Sequence, residues 1–229
     1  PVFDVYAPAE EGTWPVVVIA PDWEVGREYA RGWATAMVAE GTVVFAVDFD
    51  VGSPSTPLVH LNCATRYARD VADEYGGDPL HVTVLGHSGG AIFGMPVSLG
   101  VDALPPTYLA SDDAALPEAF VGYEGFYGVG DSRNAEWAEE DIATGEIPDT
   151  ATMVGQNPDL VVRLLHGDNE DEAWDAPVAD SEDFANLLDE AGYDVEFSLA
   201  QGGAHSGSYL PSSPAFDVIV NTTLDVAGG

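Results

Sequence analysis

Val82-Thr83-Val84-Leu85-Gly86-His87-Ser88-Gly89-Gly90-Ala91-Ile92 decides how this chain is read. A run of β-branched and apolar residues ends in Gly86-His87-Ser88-Gly89-Gly90, and a small-residue helical segment follows. The pattern is strand, sharp turn, helix, with a serine at the apex and a glycine two residues to either side. Such a turn forces the serine into a strained backbone conformation, and a β-carbon at either flank would crowd neighbouring backbone. It lifts the Ser88 hydroxyl to the top of a sheet and aims the Gly89 N–H at the same point. The bare pentapeptide is a common chance match. Between a strand and a helix it predicts a nucleophile elbow rather than a Gly-rich turn with an incidental serine.

Outward from this stretch, strands and helices alternate to both ends of the chain. Phe3–Tyr6 alternates as a strand, and Val16–Ala20 and Val43–Val47 are continuous apolar runs of strand length, as in strands buried on both faces. Helical spacing runs from Glu28 to Glu40 before Gly41, and from Leu61 to Tyr75 before Gly76-Gly77-Asp78-Pro79. After the elbow helix come strands at Ala119–Tyr123, Leu160–Leu165 and Val195–Leu199. A helix with Phe184, Leu187 and Leu188 ends at Gly192, and a last helix spans Phe216–Leu224. Residues 129–159 are acidic and interrupted by Gly and Pro, with one short helix around Ala135–Glu140; they suit a cap or surface excursion. No repeat or linker divides the chain. The expectation is one α/β domain over residues 1–229, with a mostly parallel sheet covered on both faces. In such a sheet, functional groups collect in loops beyond the C-terminal strand ends.

Composition narrows the classes. The chain has 229 residues, of which 46% are apolar, enough for one sizeable core. No apolar run is long enough to span a membrane. The start at Pro1 suggests a trimmed chain, either secreted with its signal removed or cytoplasmic in a salt-accumulating microbe. Cys63 stands alone, so no internal disulfide forms, and it reads as a small apolar helix residue. Forty acidic residues face six arginines and no lysine, for a net charge of −34. Self-repulsion on that scale opposes folding at low ionic strength, and at about 1 M salt the Debye length of roughly 3 Å screens most of it. The surface is that expected of a salt-adapted, halophilic protein. Nucleic acid is excluded as a partner, because phosphate binding needs cationic patches that six scattered arginines do not supply.

A serine hydroxyl needs a neighbouring base to act as a nucleophile. Of the five histidines, His60 and His81 sit at element entries, His87 lies inside the elbow with its side chain expected to face away from Ser88, and His166 ends a strand. His205 lies in the Gly-rich loop Gly202-Gly203-Ala204-His205 after the last strand, following an acidic loop, and is the candidate general base. The base needs an acid on its other nitrogen. The loop after Leu165 offers Asp168, Glu170, Asp171 and Glu172.

The order serine, acid, histidine, together with Gly86-His87-Ser88-Gly89-Gly90, resembles the α/β-hydrolases of the dienelactone-hydrolase, cutinase-like and small serine esterase branch. The likeness extends over nearly the whole chain. Dienelactone hydrolases proper carry cysteine where this chain has Ser88. Val121-Gly122-Tyr123 with Phe126-Tyr127-Gly128 is similar to the branch's strand-end aromatic cluster, which implies substrate-binding roles for Phe126 and Tyr127. His166-Gly167 followed by acids and Pro177-Val178 resembles its acid loop, and Gly203-Ala204-His205 its histidine loop. The resemblance leaves the triad acid open between Glu170, which holds the family's position, and Asp171, the commoner residue type one place later, with Asp168 behind both. Extra residues, including Trp174, precede Pro177, and Trp174 joins the substrate-binding candidates.

Ala20-Pro21-Asp22-Trp23 occupies the oxyanion-loop position and is closest to the Pro-Gly-aromatic form of cutinase-like polyester hydrolases. That implies oxyanion donors at the backbone N–H groups of Trp23 and Gly89, with Asp22 pointing outward. The activity implied is acyl transfer on small-molecule or polymeric esters through an acyl-enzyme. No metal or organic cofactor is called for. A lactonase, amidase or thioesterase on the same site, or a binding protein on a degenerate hydrolase fold, is the alternative.

Overall fold

The computed structural model describes residues 2–53, 55–100, 116–128, 148–169 and 178–228. The described residues build a seven-stranded sheet from β1 (Val2–Tyr6), β2 (Trp14–Ala20), β3 (Val43–Asp48), β4 (Gly77–His87), β5 (Ala119–Tyr123), β6 (Val161–Gly167) and β7 (Asp194–Ala200). Their spatial order is β1-β3-β2-β4-β5-β6-β7. β1 runs antiparallel to β3, and the remaining neighbours are parallel. The helices are α1 (Arg31–Ala39), α2 (Thr56–Val71), α3 (Gly89–Leu99), α4 (Val178–Glu190) and α5 (Pro214–Ala227).

Period-two alternation distributes each strand between two cores. Val16, Val18 and Ala20 of β2, with Phe45 of β3 and Phe120 of β5, pack against α2, α3 and α4. Val17 and Ile19, with Val44, Val121 and Tyr123, pack against α1 and α5. Because both faces are covered, these strands read as unbroken apolar runs. Val16–Ala20 and Val43–Val47 are all fully buried.

The helix expected from Glu28 to Glu40 divides into a short 3-10 turn, Arg27–Ala30, and α1. β4 starts five residues before Val82, at Gly77, where the sequence suggests a breaker. Gly77 pairs with Trp14 across a register irregularity, and its missing side chain makes room: a β-carbon there would stand 2.8 Å from Val16. The expected helix around Ala135–Glu140 and most of the expected excursion at 129–159 lie outside the described residues.

The topology itself locates the site. From β2 the chain crosses through α1 to β3 on one side, and from β4 through α3 to β5 on the other. The order therefore reverses between β2 and β4. Ligands of parallel sheets bind at the carboxyl ends of the two strands flanking such a switch point. Here those ends carry Pro21-Asp22-Trp23 and His87-Ser88.

Candidate active site

Ser88 stands between β4 and α3 at φ 52° and ψ −119°. Among the described residues only one other non-glycine has positive φ: Glu124, at 48°. The two are neighbours, since His87 pairs in register with Tyr123 and each strained residue follows directly. Backbone bonds hold both turns: the Ser88 N–H donates to the Tyr123 carbonyl at 3.0 Å, and the Glu124 N–H to the Leu165 carbonyl at 2.9 Å. Strain of about 1–3 kcal/mol per residue persists only where surroundings over-determine it.

The elbow glycines show how tight the turn is. A β-carbon on Gly86 would lie 2.5 Å from the Cα of Ala91, and one on Gly90 only 1.9 Å from the Ala20 carbonyl oxygen. One on Gly89 would meet the Trp23 indole at 2.3 Å. Trp23 therefore lies flat against the first residue of α3, with Phe93 behind it at 6.0 Å between ring centroids. The unsatisfied N–H groups at the start of α3 face the same end of the sheet, a setting that favours negative charge.

Opposite them a polar network joins three loops. The Asp22 N–H donates to the Tyr209 hydroxyl at 3.3 Å, and that hydroxyl is hydrogen-bonded to His87 Nδ1. Burial raises the Tyr209 pKa, so the phenol keeps its proton. Trp33 packs on Tyr209 at 4.5 Å and donates its indole N–H to the Ser208 carbonyl at 3.0 Å. The β2 loop, the elbow and the segment after His205 are thereby tied together. His205 itself lies beside His87, ring centroids 4.8 Å apart, with Nε2 3.9 Å from Asp22 Oδ2.

One expectation about this region changes. Asp22 turns inward, with 11% of its side chain exposed. Its Oδ1 accepts the Glu24 N–H at 3.1 Å, an Asx turn that folds the carboxylate back under the loop. The His87 side chain is buried between Tyr123 and Trp33 and lies against the ring of His205.

Ser88, His205, Asp22 and Trp23 line one groove of about 1380 Å³, with His87 and Tyr209 at its base. Phe126 and Tyr127 do not line it. Tyr127 is 3% exposed and stacks on Phe184 at 4.7 Å, in the core beneath α4. Its N–H donates to the buried carboxylate of Asp180. Glu170, Asp171 and Trp174 lie outside the described residues. Asp168 is exposed and accepts the Gly202 N–H, bracing the loop that carries His205.

Sequence reading passes over Glu124 and Tyr209. Glu124 is 3% exposed, and its Oε1 accepts the Gly167 N–H at 3.0 Å. Beside it, the Tyr123 hydroxyl donates to the Ala204 carbonyl at 3.0 Å, just before His205. An acidic residue directly after an apolar strand was the available signal for Glu124. Tyr209 gives none, because its partner His87 is 122 residues away. Among the described residues no group of three or more His, Cys, Asp or Glu is placed to hold a metal ion, and no helix is long and apolar enough to cross a membrane.

No family model and no curated protein matches this chain. Solved structures do. Esterase 2 of the planctomycete Thermogutta terrifontis, phosphonylated by sarin, superposes with a TM-score of 0.73 at 18% identity, over 98% of this chain and 87% of that one. An acetyl ester-xyloside bifunctional hydrolase from Caldicellulosiruptor lactoaceticus gives 0.71 at 18%, over 97% and 85%. A truncated carbohydrate esterase from gut microbiota gives 0.69 at 17%, over 99% and 91%. The chain has the α/β-hydrolase fold, and these structural neighbours are esterases.

Burial first, and then the neighbouring His205, hold the His87 pKa well below the ordinary imidazole value. An unfolded chain takes up a proton here as pH falls through about 6.5 and the folded chain does not, so this ring destabilises the fold only on the acid side. The stability deficit of His87→Gln in urea melts should therefore narrow by up to about 1.4 kcal/mol per pH unit below about pH 6.5. A deficit independent of pH would contradict a neutral His87.

Proposed function

We propose that this protein is a salt-adapted serine hydrolase of carboxylic esters, of the dienelactone-hydrolase and cutinase-like branch. The observation that carries the proposal is Ser88, at positive φ between β4 and α3, sharing one groove with His205. In this reading Ser88 attacks the ester carbonyl while His205 Nε2 takes its proton. The tetrahedral oxyanion is held by the N–H groups of Gly89 and Trp23, aided by the start of α3. His205 returns the proton to the leaving alcohol, then activates water to release the acid and regenerate Ser88. Glu170 or Asp171, which follow β6 in the sequence, accepts a hydrogen bond from Nδ1–H, which fixes the tautomer and stabilises the imidazolium. A neutral His87 supports this scheme, because it adds no second positive charge beside His205 when the imidazolium forms. The esterase neighbours agree with the chemistry.

One observation favours a second reading. A carboxylate turned inward at Asp22, beside the place where an oxyanion would develop, suits a hydrolase-fold binding protein with little turnover. Hydrolysis of p-nitrophenyl acetate in about 2 M NaCl separates the two. The enzyme reading predicts turnover that Ser88→Ala reduces by about 10³-fold or more. No turnover, or turnover untouched by Ser88→Ala, contradicts it.

Salt adaptation makes a separate prediction. At −34, screening should raise the Tm steadily as NaCl goes from about 0.1 M to about 2 M. A flat or falling Tm contradicts it.

A further inference from the structure

The groove at Ser88 is larger than the chemistry requires. Sites for small ligands typically enclose about 300–1000 Å³, and this one encloses about 1380 Å³. Its extra length runs along α1, where Arg31, Thr35 and Ala39 fall on one face, as do Gly32 and Ala36. At about 1.5 Å per residue, this nine-residue helix gives a trough of roughly 13 Å. Small side chains at Ala36 and Ala39 keep it open, while Gly32 lets the Tyr209 carbonyl approach the helix, 2.3 Å from where a β-carbon would stand. Leu210, Pro211 and Phe216 form the opposite wall.

Two large side chains with apolar surface stand exposed on the rim. Tyr29 is 53% exposed and Leu210 58%, on opposite sides of the trough. Tyr29 is held in place by an edge contact with Tyr209, ring centroids 6.0 Å apart. Apolar area kept in water next to a reactive group is what an apolar ligand would cover. Charge points the same way. Asp22, Glu24 and Glu28 line the groove, with Arg31 as the one arginine among the described lining residues.

We propose that this trough takes the larger half of its substrate as a long, uncharged apolar chain, and that the acidic rim rejects esters bearing a carboxylate. The proposal rests on the serine-hydrolase reading above and names its substrate class. Ligand area buried along α1 contributes binding energy remote from the reacting carbonyl, which appears in kcat/KM as the chain lengthens.

The test uses the full chain and matched esters. Across p-nitrophenyl acetate, hexanoate and decanoate below their micelle concentrations, and across ethyl, hexyl and decyl acetates, kcat/KM should rise by about tenfold or more in at least one series. Mono-p-nitrophenyl adipate has the leaving group and chain length of the hexanoate but ends in a carboxylate. It should be hydrolysed at least about tenfold less efficiently at low salt, with the gap closing toward about 2 M NaCl. Ala39→Trp should lower the decanoate-to-acetate ratio or its alkyl counterpart, and Glu24→Gln with Glu28→Gln should raise the adipate-to-hexanoate ratio. If acetate is turned over but both length series are flat or falling, or adipate equals hexanoate at low salt, the trough has no such role. If no ester is turned over, the hydrolase reading itself fails.

Discussion

The approach of Gly90 to the end of β2 constrains everything else at the C-terminal edge of the sheet. A β-carbon at Gly90 would stand 1.9 Å from the Ala20 carbonyl oxygen, so the elbow and the β2 loop share a boundary with no spare volume. From that contact the other placements follow. Trp23 is pressed against Gly89, and the Asp22 N–H is brought to the Tyr209 hydroxyl, which also holds His87. The serine turn, the loop that would supply an oxyanion donor and the segment bearing His205 are therefore one rigid assembly. Fixed dipoles of this kind stabilise developing charge without reorganising during reaction.

Charge acts on two scales. Across the surface, the few cations bridge neighbouring elements. Arg27 pairs with Asp4 of β1 and Asp48 of β3, Arg163 of β6 pairs with Asp194 of β7, and Arg69 of α2 pairs with Glu118 before β5. Exposed pairs of this sort contribute at most about 1 kcal/mol each and weaken in salt, so they do not offset a net charge of −34. Within the site the balance is local. His87 is buried and neutral, Tyr209 keeps its proton, and Asp22 Oδ2 lies 3.9 Å from His205 Nε2. In the proposed mechanism this carboxylate suits an imidazolium and opposes an oxyanion.

The strands were legible because parallel strands covered on both faces must be apolar throughout, as Val16–Ala20 and Val43–Val47 are. The elbow was legible because three glycines are forced by contacts under 3 Å. What escaped depends on distance along the chain or on a single local bond. The start of β4 at Gly77 needs its partner Trp14, 63 residues earlier, to be seen as a strand. Asp22 is turned inward by one bond to the Glu24 N–H, which no composition rule reports. The family resemblance of Phe126-Tyr127-Gly128 makes Tyr127 a site aromatic, yet its ring packs against Phe184. Acid identity was beyond reach for a different reason: with forty acidic residues, every loop offers a candidate.

The central claim is that Ser88 is an activated nucleophile. Its most direct measurement is labelling of the folded protein, in high salt, with a fluorophosphonate, followed by mass-spectrometric location of the adduct. One stoichiometric adduct on Ser88 is expected, lost on unfolding in urea before labelling and lost in His205→Ala. No adduct, or an adduct on another residue, would contradict it.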